Sequence, residues 1–460
     1  MKRKRFFYMM PFILAGVLWA SGNMLPRLTP TAEELKAAAI PELAAPLAMR
    51  SLDGNRLAVK AVLRDGRTLS AEFDVPIESV FDVKDEKFPT LRLFRKGDSQ
   101  WSRQSLKDIS ARLVVPGSIS VADAPDGKGR KYRVGIDFWV DEFLGHLARL
   151  EGGELDERPV FVSWQGRMQR LDSVVLVGGN RLEYRKGVAS RKMPVSPPLG
   201  KDEVRLANVF LPCGTTVVTE DNFYPITERF YPIRPNPTAE QLLPRTMARL
   251  RSGEPLHILA WGDSITNGTY FQGYKGNRWQ EKVVAGLQKR FPKARIELRT
   301  LGWGGRGIAD FLKAPSGHEF NYQEQVLEKH PTLVIMEFHN DFGRPAEKVR
   351  LDYEKVLADF QARGIEWLPM TPPLTTGNLN LAFPAKAQKN IQETSWPLVK
   401  MLREFAGQHE LPLAEAHERY VRIWRQGIPR LTLFTNHYNH PAAEGMQLLA
   451  DAVLDVFPQQ

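Results

Sequence analysis

Four short stretches of this sequence carry side chains whose types suit chemistry at an activated serine. Gly262-Asp263-Ser264-Ile265-Thr266 sets a serine hydroxyl beside a glycine and a carboxylate. Gly302-Trp303-Gly304-Gly305-Arg306-Gly307 is a glycine-rich loop, whose backbone N–H groups can face an anion. Phe338-His339-Asn340-Asp341 offers a side-chain amide donor at Asn340, and Asn436-His437-Tyr438-Asn439-His440-Pro441 offers imidazole. A serine hydroxyl is a poor nucleophile until a neighbouring base takes its proton, and imidazole titrates in the range that suits this task. Singly, each string has an ordinary explanation as a helix cap, a flexible turn, a turn asparagine or a structural histidine.

Their placement changes that reading. From His257 onward strand-like and helix-like segments alternate. His257 to Trp261, Arg295 to Leu301, Thr332 to Phe338, Ile365 to Met370 and Leu411 to Ala414 read as strands. Trp279, Val283, Leu287 and Phe291 fall every four residues along a helix; Pro345 to Arg363 reads as another, and Met446, Leu449, Val453 and Phe457 as the stripe of a terminal one. Alternation of this kind implies a parallel sheet covered on both faces, with ligands at the carboxyl ends of its strands. The first three strings each follow a predicted strand and the fourth opens the last helix, so all four meet at one edge.

With these blocks in this order, residues 254–460 resemble the SGNH (GDSL-type) hydrolase family. The resemblance implies a three-layer α/β/α domain and ester hydrolysis through an acyl-serine, with no metal and no organic cofactor. It makes Ser264 the nucleophile and His440 the base. The oxyanion hole falls to the N–H groups of Ser264 and Gly305 and the amide of Asn340. The G-x-S-x-G elbow of α/β-hydrolases is absent around Ser264. Two positions depart from the family pattern. The aspartate common three residues before the histidine is replaced by His437, so His440 is oriented by another group or works in a Ser–His dyad. Asn436, Asp263 and His437 itself are the nearby candidates for an orienting or pocket role. Phe338 stands where the third block often has glycine, and either reshapes the pocket or fills core. His339 and Asp341 read as structural. His318, His409 and His417 are each followed by glutamate, but none continues as the zinc motif HExxH.

The rest of the chain sets the context. Its 460 residues are 43% apolar and 25% charged, as in folded soluble proteins. The formal charge is +10; without Lys2, Arg3, Lys4 and Arg5 about +6 remains, spread widely, which does not indicate a nucleic-acid binder. Those basic residues precede an apolar run, Phe6 to Ala20, that is shorter than the roughly 20 residues of a membrane span and contains Pro11. With Ala20-Ser21-Gly22 behind it, this reads as a signal peptide over residues 1–22, leaving no stable membrane span after cleavage. A single cysteine, Cys213, rules out an internal disulfide, and export without one points to a bacterial periplasm or exterior.

Residues 23–49 read as an N-terminal linker and 50–230 as an all-β sandwich or jelly-roll-like domain. Leu57, Val59, Ala61 and Leu63 alternate, Asp65-Gly66 turns the chain, and Leu69, Ala71, Phe73 and Val75 alternate again. Tyr132, Val134, Ile136 and Phe138 suggest a further strand, and Val174 to Val177 another, ending at Gly178-Gly179-Asn180. Pro232, Pro235, Pro237 and Pro244 mark a linker over 231–253 that contains a short basic helix, Arg245 to Arg251. Trp101, Trp139 and Trp164 could stack on sugar rings if exposed, and Thr371 to Pro384 could wall the pocket. The expected substrate is an acylated, above all acetylated, carbohydrate or envelope polysaccharide. A lipase or lysophospholipase, an O-acyltransferase using the same site, and a non-catalytic polysaccharide-binding protein with a decayed hydrolase domain stay open.

Overall fold

The computed structural model describes residues 25–95, 103–235, 237–271, 273–375 and 396–459. The expected leader, Trp101 and most of the predicted pocket wall after Thr375 lie outside them.

Four strands form the C-terminal sheet: β1 (Pro255–Gly262), β2 (Arg295–Gly302), β3 (Leu333–Glu337) and β4 (Glu366–Pro369). All pair in parallel, in the order β2-β1-β3-β4. The two-residue period of a strand divides its side chains between two cores. Leu256, Ile258 and Ala260 of β1, with Leu333 and Ile335 of β3, pack against Trp279, Val283 and Leu287 of helix Trp279–Arg290 and against Met446, Leu449 and Val453 of helix Ala443–Leu454. Leu259, Trp261, Val334 and Met336 face the other way, onto Tyr353, Val356 and Phe360 of helix Ala346–Arg363 and Leu398, Leu402 and Phe405 of helix Pro397–Gln408. This is the expected three-layer α/β/α arrangement. The predicted fifth strand is only a bridge, Met370 to Ala414. Pro412 removes a ladder donor in the middle of that segment.

Antiparallel sheets dominate the N-terminal part. Arg56–Val62 and Thr68–Asp74 form the expected hairpin, with Leu57 opposite Phe73 and Ala61 opposite Leu69. Arg170–Val177, buried almost throughout, turns at Gly178-Gly179 to pair with Arg181–Arg185. Leu57, Val59 and Ala61 share one core with Val174, Leu176 and Val209, so two sheets stack face to face. A second core, around Val121, Phe138, Val160, Val162 and Trp164, includes Cys213, whose thiol burial pushes up to about 12. The segment from Tyr132 to Phe138 is not one strand. Gly135 adopts φ +77°, the Asp137 carboxylate accepts from the Arg133 N–H at 2.8 Å, and Val134 and Ile136 are exposed.

The two parts of the chain touch along residues 422–437. Asn208 donates to the Gly427 carbonyl at 2.7 Å, Ile226 bridges Gln426, and Glu228 pairs with Arg422 and Arg425.

Candidate active site

The carboxyl ends of β1, β2 and β3 bring three of the four blocks together. Ser264 opens the short helix Ser264–Asn267 directly after β1, and the Asp263 carboxylate caps it by accepting from the Ile265 N–H at 2.9 Å. The Ser264 N–H, at the first helical position, has no acceptor within the helix. After β2, the glycine loop is tied back to the serine loop. Trp303 N–H donates to the Gly262 carbonyl at 3.0 Å and the Asn267 amide donates to the Gly302 carbonyl at 3.2 Å. A Cβ at Gly302 would stand 2.4 Å from Asn267 N, so only glycine permits this approach. Gly305 sits at φ +72° with open space where a Cβ would be, and a Cβ at Gly304 would stand 3.8 Å from that of Ser264. After β3, Asn340 donates to Asp263 from its backbone N–H (2.9 Å) and its side-chain amide (2.8 Å). Its second amide hydrogen reaches only the Arg306 carbonyl, at 3.5 Å, the long limit of a hydrogen bond.

The fourth block closes over this edge. His440 Nε2 lies 3.2 Å from Ser264 Oγ. The loop that carries it is built around Asn436, whose side-chain oxygen accepts from the N–H groups of Tyr438, Asn439 and His440 at 3.0, 3.0 and 3.1 Å. Thr435 N–H donates back to the His440 carbonyl at 2.8 Å. Tyr270 stacks on the His440 ring, 4.1 Å between centroids and 10° between planes, and its hydroxyl donates to the Pro441 carbonyl at 3.0 Å. Burial lowers His440 to about 4, so the ring is neutral and its Nε2 can accept a proton. Among the described residues no carboxylate hydrogen-bonds either nitrogen of this ring.

Ser264, Asp263, Asn340 and His440 are therefore brought together, with Gly305 next to the glycine that approaches Ser264 and Asn436 in the turn that carries His440. His437 is not beside the His440 ring. It is buried at the boundary with the N-terminal part, its Nε2 2.8 Å from Gln169 Nε2 and 2.5 Å from the Lys192 carbonyl. Phe338 fills core, edge-on to Trp261 at 5.3 Å and Phe311 at 5.5 Å. Asp341 caps Ile308 N–H at 3.1 Å and pairs with Arg344, and His339 stacks on Phe342, so both are structural. Of the predicted wall, Thr371 and Thr375 are buried, and the Thr375 hydroxyl is 3.3 Å from His339 Nε2.

The sugar-stacking expectation fails at the residues described. Trp164 is 2% exposed and donates to Glu86, and Trp139 packs against Phe94 beneath the Arg103 guanidinium. Tyr270 and Glu337 escaped the sequence reading, because neither lies in a block whose spacing announces a role. Glu337, at the end of β3, is fully buried beside Asp263, and burial together with that neighbouring charge pushes its carboxyl well above the usual range.

Residues 260–448 match the GDSL-like Lipase/Acylhydrolase family. The chain thus carries a C-terminal GDSL-like lipase/acylhydrolase domain, and the class this defines is a carboxylic-ester hydrolase. Among solved structures, a catalytic mutant of Axe2, an acetylxylan esterase from Geobacillus stearothermophilus, is similar at 17% identity and TM-score 0.35, over 44% of this chain and 95% of that one. A two-domain esterase active on acetylated mannans, co-crystallized with mannopentaose, is similar at 22% identity and TM-score 0.37, over 47% of this chain and 53% of its own. An alpha/beta hydrolase from the metagenome of Lake Arreo, Spain, is similar at 20% identity and TM-score 0.35, over 44% and 94%. No curated protein matches the sequence.

Proposed function

We propose that this protein is an exported serine esterase that removes small acyl groups, above all acetyl, from a carbohydrate or cell-envelope polysaccharide. The observation that carries the reading is the 3.2 Å approach of His440 Nε2 to Ser264 Oγ, beside the glycine loop and Asn340. As Oγ adds to the ester carbonyl, its proton passes to Nε2. The tetrahedral oxyanion sits among the N–H groups of Ser264 and Gly305 and the Asn340 amide hydrogen that the Arg306 carbonyl holds only at 3.5 Å. Collapse breaks the ester C–O bond, and His440 returns the proton to the departing sugar oxygen. Water, deprotonated by the same nitrogen, then releases the carboxylic acid from Ser264. General acid–base help of this kind contributes roughly 10² to 10⁴ in rate.

Export is supported by the basic and apolar leader, and a polymeric substrate by a β-rich part joined to the hydrolase domain. The intact Ser264–His440 contact weighs against a decayed, binding-only domain. The test is labelling of the full chain by a fluorophosphonate probe, expected in the parent and lost in Ser264→Ala, followed by product analysis. Acetate released from acetylated glycans supports the reading. Release of fatty acid from phospholipid, or transfer of acetyl to a sugar hydroxyl in place of water, would replace it with the lipase or transferase alternative.

A further inference from the structure

We propose that the N-terminal β-rich part is a working piece of the active site, holding the catalytic histidine in register through a clamp of Gln169 and the Lys192 carbonyl on His437. The proposal rests on the reading of Ser264 and His440 as the catalytic pair.

His437 occupies the position where the resemblance leads one to expect an aspartate, and it faces away from the ring that the aspartate would serve. Its Nε2–H donates to the Lys192 carbonyl at 2.5 Å, and the Gln169 amide donates to the same carbonyl, so that both side chains converge on one acceptor. The anchor is stiff. Gln169 is fully buried, begins the run into strand Arg170–Val177, and bridges Ser190 through two backbone hydrogen bonds, which fixes the segment carrying Lys192.

His437 itself sits at φ +52°. A residue with a Cβ keeps that left-handed conformation only where its surroundings over-determine it. The loop then passes the constraint on. His437 N–H donates to the Phe434 carbonyl at 3.2 Å, Asn436 gathers the next three N–H groups, and Thr435 closes onto the His440 carbonyl. Two residues, Tyr438 and Asn439, separate the clamped imidazole from the catalytic one. Since no carboxylate among the described residues steadies His440, its reach to Ser264 depends on this loop and on the Tyr270 stack. A misplacement of 1 Å at a reacting group can cost about 10²-fold. His437, Gln169 and Lys192 are thus positioning residues, contributed by two different parts of the chain.

The experiment uses the full chain and p-nitrophenyl acetate, with thermal unfolding of each variant. Gln169→Ala and His437→Ala are expected to lower kcat about 10- to 100-fold with KM little changed. His437→Gln, whose amide can still donate to the Lys192 carbonyl, should recover part of the loss. His437→Asp should behave as His437→Ala does, because a carboxylate there faces a carbonyl rather than the His440 ring. Asn208→Ala removes a different contact between the two parts, to Gly427, and should lower the unfolding midpoint while leaving kcat alone. Unchanged kcat in folded Gln169→Ala and His437→Ala would overturn the clamp, as would an equal kcat loss in Asn208→Ala or a His437→Asp variant faster than the parent. A parent that neither hydrolyses the ester nor labels with fluorophosphonate would instead overturn the esterase reading beneath it.

Discussion

His440 meets two opposing effects at the level of the single residue. Burial lowers it to about 4, which keeps the ring entirely in its proton-accepting form at neutral pH but makes it a weaker base than an exposed histidine. The missing carboxylate costs more, since breaking that link in a serine protease lowers kcat by roughly 10⁴. Tyr270 supplies orientation through its stack but no negative charge to stabilise the imidazolium, so a modest turnover is expected. Because the folded value is depressed, the active base persists as pH falls through 6.5 and is lost only near 4. The acid limb of kcat/KM, measured with p-nitrophenyl acetate from pH 3.5 to 8, should therefore bend close to 4; a midpoint near 6.5 would show a solvated ring. Tyr270→Ala should lower kcat about 10- to 100-fold by freeing the ring, whereas Tyr270→Phe keeps the stack and should stay within about threefold. Ser264, Asn340 and His440 could be singled out in the sequence because their blocks follow strands or precede the last helix and stand in the order that resembles the SGNH family. Tyr270 could not, since its contact with His440 joins residues 270 and 440 through loops of no regular period.

At the scale of elements, the ends of β1 and β3 crowd three carboxylates under the catalytic edge: Asp263, Glu337 and Asp341, all fully buried. Burial raises all three: Asp263, which accepts three N–H groups, and Asp341, beside Arg344, to about 7, and Glu337, to which the repulsion of Asp263 adds, well above the usual range. Glu337 consequently holds its proton at neutral pH. Its folded value is raised, so the stability it contributes is complete below the unfolded value of about 4.3 and declines as pH rises. Glu337→Gln, which keeps the shape and removes the titration, should gain in unfolding midpoint over the parent at pH 8 compared with pH 5. A variant that loses ground as pH rises would mean an ionised, paired Glu337. Asn340→Ala should cost about 10² to 10³ in kcat through the oxyanion. The strands and helices of this layer were readable because burial on both faces leaves near-continuous apolar runs. Two segments misled for local reasons. Pro412 interrupts the last predicted strand, and Gly135 turns the chain inside an alternation that runs from Tyr132 to Phe138.

Across the whole molecule, the proline-rich run near residues 231–253 makes the two parts look separable, yet their contacts join residues some two hundred apart. Asn208 with Gly427, and Gln169 with His437, leave no periodic trace in the sequence, which is why the boundary region could be read and the interface could not. Glu228 is the most exposed to loss among these contacts, in the energetic sense. It is 1% solvent-accessible, and burial raises its carboxyl despite Arg422 and Arg425 beside it. Such a pair lies close to break-even as a whole, but removing one member strands the other. Glu228→Ala leaves Arg422, only 11% accessible, with Glu418 at 3.8 Å as its remaining ion-pair partner among the described residues. A loss near the lower end of the roughly 3–5 kcal/mol typical of a broken buried pair is expected. If the interface couples the two parts, urea unfolding followed by tryptophan fluorescence should pass from one transition in the parent to two in Glu228→Ala. The earlier of the two should coincide with loss of ester hydrolysis, since the His440 loop is anchored across the same boundary. Two transitions already present in the parent, with activity surviving the first, would mean that the hydrolase domain holds its histidine unaided.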